Sequence, residues 1–416
     1  MSKNNTIIIG YDAVSPLGTD LKAQWERASR GESGIDRLTR FPIRKNFPVL
    51  VSGEVDEIDV SNYPFLKPRA LAQWPSPIFK HAMLTVHRAI DSSGLEITPE
   101  IAPRVAITFS SAVGGQDAVI NADRLLNTRE KLPHPATNPN SCINMVGGKI
   151  SILTKATGPI TSTITACATG STSVIMGSML IQQNMADVAI CGAVDFSLVE
   201  PIVAGFATMN GAYSCWDEDL TEDPTEVSRP FSENRKGFVV SEGSGAIIIA
   251  SKEFAAAHGL NYLFEVAGWG MSSDAYHHVA PNPETVTRCM REAIADAGIQ
   301  AEDIDVINAH AASTKVGDQV ECDSLKAVFG ENPPPVSANK SMIGHAMGAS
   351  SAIETIYGLE GMKNGFILPT INHHPDPKID LDCVAEGMRK KDQEFMLKNA
   401  FGFGGCNACL VIKRTG

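Results

Sequence analysis

The chain has 416 residues, 43% hydrophobic and 20% charged, which fits one large α/β body or two similar halves sharing an interface. Its net charge of −12 argues against a nucleic-acid-binding surface, which needs clustered excess Lys and Arg, but leaves room for a local basic patch facing an acidic protein. No stretch approaches the ~18 uninterrupted apolar residues of a membrane span.

The opening MSKNNTIIIGYDAVSPLG carries one Lys and an apolar run of strand length. Without an h-region or a small-residue cleavage site it reads as no signal peptide, and a cytoplasmic location is expected. From there short β-branched runs alternate with longer helical patterns, as in layered α/β structure. Strands are predicted over 6–10, 104–110, 160–166, 188–192 and 245–250, with helices over 78–93 and 169–183. Within this first series, 216–237 (WDEDLTEDPTEVSRPFSENRKG) holds Asp217, Glu218, Asp219, Glu222 and Asp223 without calcium-loop spacing, and reads as a solvated loop. After a break near 251–259 a second series begins, with strands over 263–268, 306–309, 335–338, 399–403 and 408–413 and helices over 283–297, 318–328 and 348–362. The repeated element order suggests halves over 1–255 and 256–416. Several strand runs are continuously apolar, as expected of sheets covered by helices on both faces. The nine cysteines are irregularly spaced and fit reduced thiols; Cys406 and Cys409 form a C-x-x-C without a second pair, so no zinc site is expected.

Four segments carry chemistry, each at a strand-to-loop junction, the usual place for a site in an α/β protein. In ITSTITACATGSTS (160–173) Cys167 stands on a tight turn leading into a helix, where unpaired N–H groups and the helix dipole favour a thiolate and a developing oxyanion. Taken alone the segment fits a small buried hydrophobe as well. In DVINAHAASTKVGDQVE (305–321) a strand runs into His310 and a small-residue loop, a position for a catalytic imidazole or for a structural one. In PVSANKSMIGHAMGASSA (335–352) Lys340 and His345 share a loop of short side chains before a helix. In NAFGFGGCN (399–407) glycines around two phenylalanines suit an oxyanion contact and an aromatic gate, although glycine-rich strand ends are common structural devices.

Together these motifs resemble a β-ketoacyl-[acyl-carrier-protein] synthase of the elongating type. The match runs from VSPLG at 14–18 to GFGGCN at 402–407, through TACATGS around Cys167, RPF and RKGFVVSEGSG within 229–245, GMSSDAYH at 270–277, NKSMIGH at 339–345, and PTIN and PDP within 369–377. The resemblance implies a thiolase fold, two βαβαβαββ halves in five α-β-α-β-α layers, and a homodimer, with a heterodimer as the variant. It implies decarboxylative condensation in fatty-acid or a pathway-specific polyketide or polyene synthesis, with an acyl carrier protein as partner. It assigns Cys167 as the acyl-accepting nucleophile, His310 and His345 to decarboxylation, Lys340 to orienting the second histidine and Glu321 to holding the loop. Backbone N–H groups of Cys167 and Phe403 would form the oxyanion hole, with Phe403 also the gate; Val113, Thr314 and Phe401 fall to substrate binding, and Lys67, Arg69 and Arg229 to carrier docking. No metal or organic cofactor is implied, because phosphopantetheine arrives on the carrier.

Three departures stand out. Ala312 occupies the place of a hydroxyl residue after His310, Val279 and Ala280 replace a Thr-Ser pair, and Cys406 follows the glycine loop where Thr or His is commoner. Each lost hydrogen bond is worth about 0.5–1.5 kcal/mol, so carrier recognition is expected to change without loss of chemistry. Two rivals remain: a non-catalytic chain-length-factor-like partner, disfavoured by retention of Cys167, and a degradative thiolase, for which Cys406 would be the second cysteine.

Overall fold

The computed structural model describes residues 6–129, 131–216 and 219–415. Residues 1–5 of the N-terminal reading, and Asp217 and Glu218 of the acidic loop, lie outside these.

Nine strands make the main sheet: β1 (Thr6–Val14), β2 (Val105–Ile107), β3 (Val188–Phe196), β4 (Glu242–Ser251), β5 (Phe264–Ser273), β6 (Val306–Asn308), β7 (Val336–Ser337), β8 (Phe395–Gly402) and β9 (Cys406–Arg414). Their order is β2-β3-β4-β1-β5-β9-β8-β6-β7. The two halves meet at a short antiparallel contact, Ile7 opposite Glu265 and Ile8 opposite Phe264. On either side of that seam the pairing repeats. β2 runs parallel to β3 as β6 does to β8, and antiparallel neighbours β4 and β9 then lead to β1 and β5.

The third position of each half shows where the duplication weakens. In the second half β7 pairs parallel with β6. In the first, the strand predicted over 160–166 keeps a single parallel bridge, Ile160 to Ile107, and residues 162–165 run on unpaired. This segment is the sheet's outer edge, with Ile160 and Ile164 44% and 48% exposed, so among the described residues it has a neighbour on one side only.

Helices cover the sheet in layers. α1 (Pro77–Ser93) begins with Pro at its first position, stops at left-handed Gly94, and packs Ile78, Phe79, Leu84 and Val86 against β1, β3 and β4. α3 (Pro283–Ala297), capped by the Asn282 side chain, packs with α4 (Lys315–Phe329) against β5 and β9. Between the half-sheets lie α2 (Thr169–Gln182) and α5 (Met347–Asn364), buried along most of their length. Their small residues permit this: a Cβ on Gly170 would stand 2.5 Å from the Ala352 nitrogen. The core cluster around them joins Val174, Ile175, Ile353 and Ile356 to Ile247, Ile249, Leu410 and Ile412. The layering is therefore α-β-α-β-α, with the two β layers hydrogen-bonded at one corner.

Most predicted elements coincide with observed ones, and α3 matches residue for residue. β8 begins at Phe395, earlier than predicted, because Lys398 interrupts its apolar run yet is itself buried. Phe403 falls in the turn after β8. Cys406 and Cys409, three apart on β9, point to opposite faces. Among the described residues no group of three or more His, Cys, Asp or Glu is placed to hold a metal, and no helix is long and apolar enough to cross a membrane.

Candidate active site

Cys167 occupies a 3-10 turn, Ala166–Ala168, between the edge segment and α2. Ala166 holds φ +47, a left-handed conformation that costs a non-glycine residue of order 1–3 kcal/mol and that the surrounding packing must enforce. The thiol is buried, and His345 Nε2 lies 3.1 Å from its sulfur. Burial pushes the Cys167 thiol up to about 12, with the Lys340 ammonium and a hydrogen bond from the Phe403 backbone N–H pulling the other way. At neutral pH it is therefore held as a thiol, with His345 Nε2 within reach of its proton.

His345 precedes α5 and is held from every side. Its N–H donates to the Val239 carbonyl, its carbonyl accepts from the Ser241 N–H, and Nδ1 lies 2.9 Å from the Ser350 hydroxyl. That hydroxyl can accept from Nδ1–H or donate to a bare Nδ1, so it serves either tautomer. The Phe238 ring packs edge-on at 5.4 Å.

His310 follows β6, its ring 5.7 Å from that of His345 and 5.6 Å from that of Phe401. Glu321, fully buried on α4, accepts the His310 and Ala311 N–H groups, one on each oxygen, and Asn399 Nδ2 as well. Lys340 Nζ lies 2.6 Å from the His310 carbonyl and 2.6 Å from Glu354 Oε1. The lysine thus reaches the first histidine, not the second as expected. Both imidazoles sit well below their ordinary pKa, through burial first and the Lys340 charge second. The centre offers one buried thiol and two neutral imidazoles, that of His345 buried and that of His310 partly exposed.

The glycine-rich turn closes it. A Cβ on Gly402 would meet the Thr165 carbonyl oxygen at 2.3 Å, so only glycine lets the end of β8 lie against the nucleophile's turn. Half-buried Phe403 then packs with Val113, Phe206, Leu198, Met347 and Ala312 in an apolar cluster beside His345. Ala312 is part of that cluster, and Val279 and Ala280 lie on a surface loop whose N–H groups cap His277. Thr314 is farther out, half-buried, with its N–H on Asp318.

Of the docking cations, Lys67 and Arg69 are exposed. Arg229 requires correction: it is 7% exposed, donates to Glu222 at 2.6 Å and to the Glu226 carbonyl, and is a structural cation under the loop. Its partner carboxylate belongs to the acidic cluster that read as merely solvated.

The sequence reading missed Asp195, at the end of β3. Completely buried, it accepts from the Ser111 hydroxyl and the Ala112, Val113 and Gly348 N–H groups, tying the Val113 loop to the start of α5. Burial raises its carboxyl to about 6 against the pull of these bonds. Glu354 and Lys398 were missed too. In each case one charged residue interrupts an apolar or small-residue run, and that was the available signal.

Known proteins carry the same architecture. Residues 3–255 match the family model "Beta-ketoacyl synthase, N-terminal domain" and residues 263–374 its C-terminal counterpart. The 3-oxoacyl-[acyl-carrier-protein] synthase 2 of Staphylococcus aureus (strain COL) is 35% identical over 421 aligned positions, covering 100% of this chain and 99% of that protein. The protein of that name from Coxiella burnetii is also 35% identical, with 100% of both covered. Among solved structures, the ishigamide ketosynthase/chain length factor superposes with TM-score 0.89 at 29% identity, covering 99% of this chain and 100% of that one. A β-ketoacyl synthase from Burkholderia phymatum STM815 gives TM-score 0.89 at 25% identity, covering 99% and 100%. With the thiolase-type layering and the Cys167–His310–His345 centre in place, these matches show that the chain belongs to the β-ketoacyl synthase family.

Proposed function

We propose that this enzyme elongates an acyl chain held on Cys167 by decarboxylative Claisen condensation with a malonyl group presented on an acyl carrier protein, in fatty-acid synthesis or a pathway-specific polyketide or polyene route. The observation that carries this reading is the 3.1 Å approach of His345 Nε2 to the Cys167 sulfur, with the second neutral imidazole 5.7 Å from the first.

In the first half-reaction the thiol proton passes to His345, the sulfur attacks the acyl thioester, and the carrier thiol leaves with the proton. The Cys167 and Phe403 N–H groups hold the tetrahedral oxyanion. The malonyl thioester then loses carbon dioxide, and the released electron pair forms an enolate held by N–H bonds from the two imidazoles. The enolate carbon attacks the acyl carbonyl, the bond to Cys167 breaks, and the thiolate it leaves takes up one proton from solvent. Neutral histidines suit this sequence because an imidazolium could not accept the thiol proton.

In this reading phosphopantetheine comes with the carrier and no separate cofactor takes part. We assign Val113, Phe401 and Thr314 to the acyl chain and pantetheine arm, and exposed Lys67 and Arg69 to carrier docking. Halves over 1–255 and 256–416 each supply part of the centre. The half-paired edge at 160–165 supports a dimer formed across it, and the reduced thiols support a cytoplasmic enzyme.

The decisive experiment follows the intact mass of the protein with a panel of acyl carrier proteins, and carbon dioxide release from malonyl carrier protein. An acyl adduct on Cys167, absent in Cys167→Ala, together with carbon dioxide release, is the expected result. No adduct with any chain, as for a chain-length-factor-like subunit, or product from acetyl thioesters alone, as for a thiolase, would overturn it.

A further inference from the structure

One buried cation has no part in the condensation as written. Lys398, on β8, is completely buried, and its Nζ lies 2.5 Å from Glu354 Oε2 and 3.4 Å from the Ala309 carbonyl oxygen. The other oxygen of Glu354 faces Lys340, which holds the neighbouring carbonyl of His310. Two lysines therefore hold the consecutive carbonyls of residues 309 and 310, with one carboxylate fixed between them.

The next residue on the strand completes the arrangement. Side chains alternate across a strand, so Asn399 points the opposite way from Lys398 and reaches Glu321, which holds the His310 and Ala311 N–H groups. Four charges lie here, Lys340 and Lys398 against Glu354 and Glu321, each no more than 1% exposed, and together they sum to zero. Removing one partner from such a set leaves an uncompensated buried charge. A methionine would fill the volume of Lys398, so burial by itself does not call for an ammonium.

We propose that Lys398 is a positioning residue for the condensation: through Glu354 and the Ala309 carbonyl it fixes Lys340 and the backbone of His310, and its charge helps keep both histidines in their neutral form for the decarboxylation step. It touches no reacting atom. The histidine environment agrees, since the Lys398 charge opposes protonation of both imidazoles, after burial and Lys340.

The inference rests on the proposed function, and the test separates the two. In Lys398→Met, carbon dioxide release from malonyl carrier protein is expected to slow by tens-fold to about 100-fold, the range for a misplaced catalytic group, and by more than acylation of Cys167 slows. The acid limb of its pH profile is expected to move to higher pH, because imidazoles that have lost a neighbouring positive charge protonate more readily. Lys398→Arg, which keeps the charge, is expected to retain the wild-type limb. If Lys398→Met does not accumulate as folded protein, the charge-balanced Lys398→Met/Glu354→Gln variant decides, with a slow rate and a limb near the wild-type position. Unchanged release and an unmoved limb in Lys398→Met, or a wild-type rate in the double variant, would overturn the proposal. A wild-type enzyme that acylates Cys167 but releases no carbon dioxide would instead refute the decarboxylative reading.

Discussion

A methyl group on Gly402 would press on the Thr165 carbonyl at 2.3 Å and the Cys167 nitrogen at 3.2 Å, so Gly402→Ala must drive the end of β8 away from the nucleophile's turn. Phe403 moves with it, and its N–H leaves the Cys167 sulfur. Acylation of Cys167, followed by intact mass, is expected to slow at least about tenfold while far-ultraviolet circular dichroism stays that of the parent, since losing one oxyanion donor alone costs about 10²-fold or more. At this scale the sequence exposed the residues whose type is rare at a strand end: Cys167, His310, His345 and the glycine turn. It did not expose Asp195, Glu354 and Lys398. A lone charge in an apolar run reads as a solvent-facing position until its partner is known, and these partners lie 14 to 153 residues away. Arg229 failed in the opposite sense, since nothing local distinguishes a docking cation from one already held by Glu222.

At the scale of elements, Asp195 joins the end of β3 to the 111–114 loop and to the first turn of α5, so one carboxylate sets the distance between the Val113 wall and the helix behind His345. An asparagine would turn an amide N–H₂ toward backbone donors. Asp195→Asn is expected to cost about 2–3 kcal/mol in chemical unfolding, the worth of a hydrogen bond to a charged group plus a stranded donor, and to slow acylation with it. Strands and helices themselves were legible wherever the hydrophobic period was clean, as in α1, α3 and β9. The 160–166 run was read as a strand because its residues are β-branched, yet β propensity describes fit to a pleated surface and does not supply a neighbour. Here, among the described residues, the ladder stops after Ile160.

For the whole molecule, pH bears on stability through buried histidines. His81, stacked on Phe196 at 3.9 Å, is held down to about 3, mainly by burial. Its folded value lies below the unfolded 6.5, so its contribution is complete above pH ~6.5 and is lost as pH falls toward about 3, because the unfolded chain takes up the proton first. His81→Phe keeps the stack and removes the proton site. Between pH 6 and 4 its unfolding free energy is expected to fall less steeply than the parent's, by about 1.4 kcal/mol per pH unit, measured by denaturant titration at each pH. Equal slopes would show that His81 is protonated in the native state.

The repeated strand order was visible only as element order, since the two halves share geometry and not residues. It has a consequence at the edge, where the half-paired segment at 160–165 ends two residues before Cys167. Whatever pairs with that segment acts directly on the turn that carries the nucleophile. In the dimer proposed across this edge, subunit concentration would then act as an effector, since by mass action association favours the paired form of the arm that leads to the nucleophile.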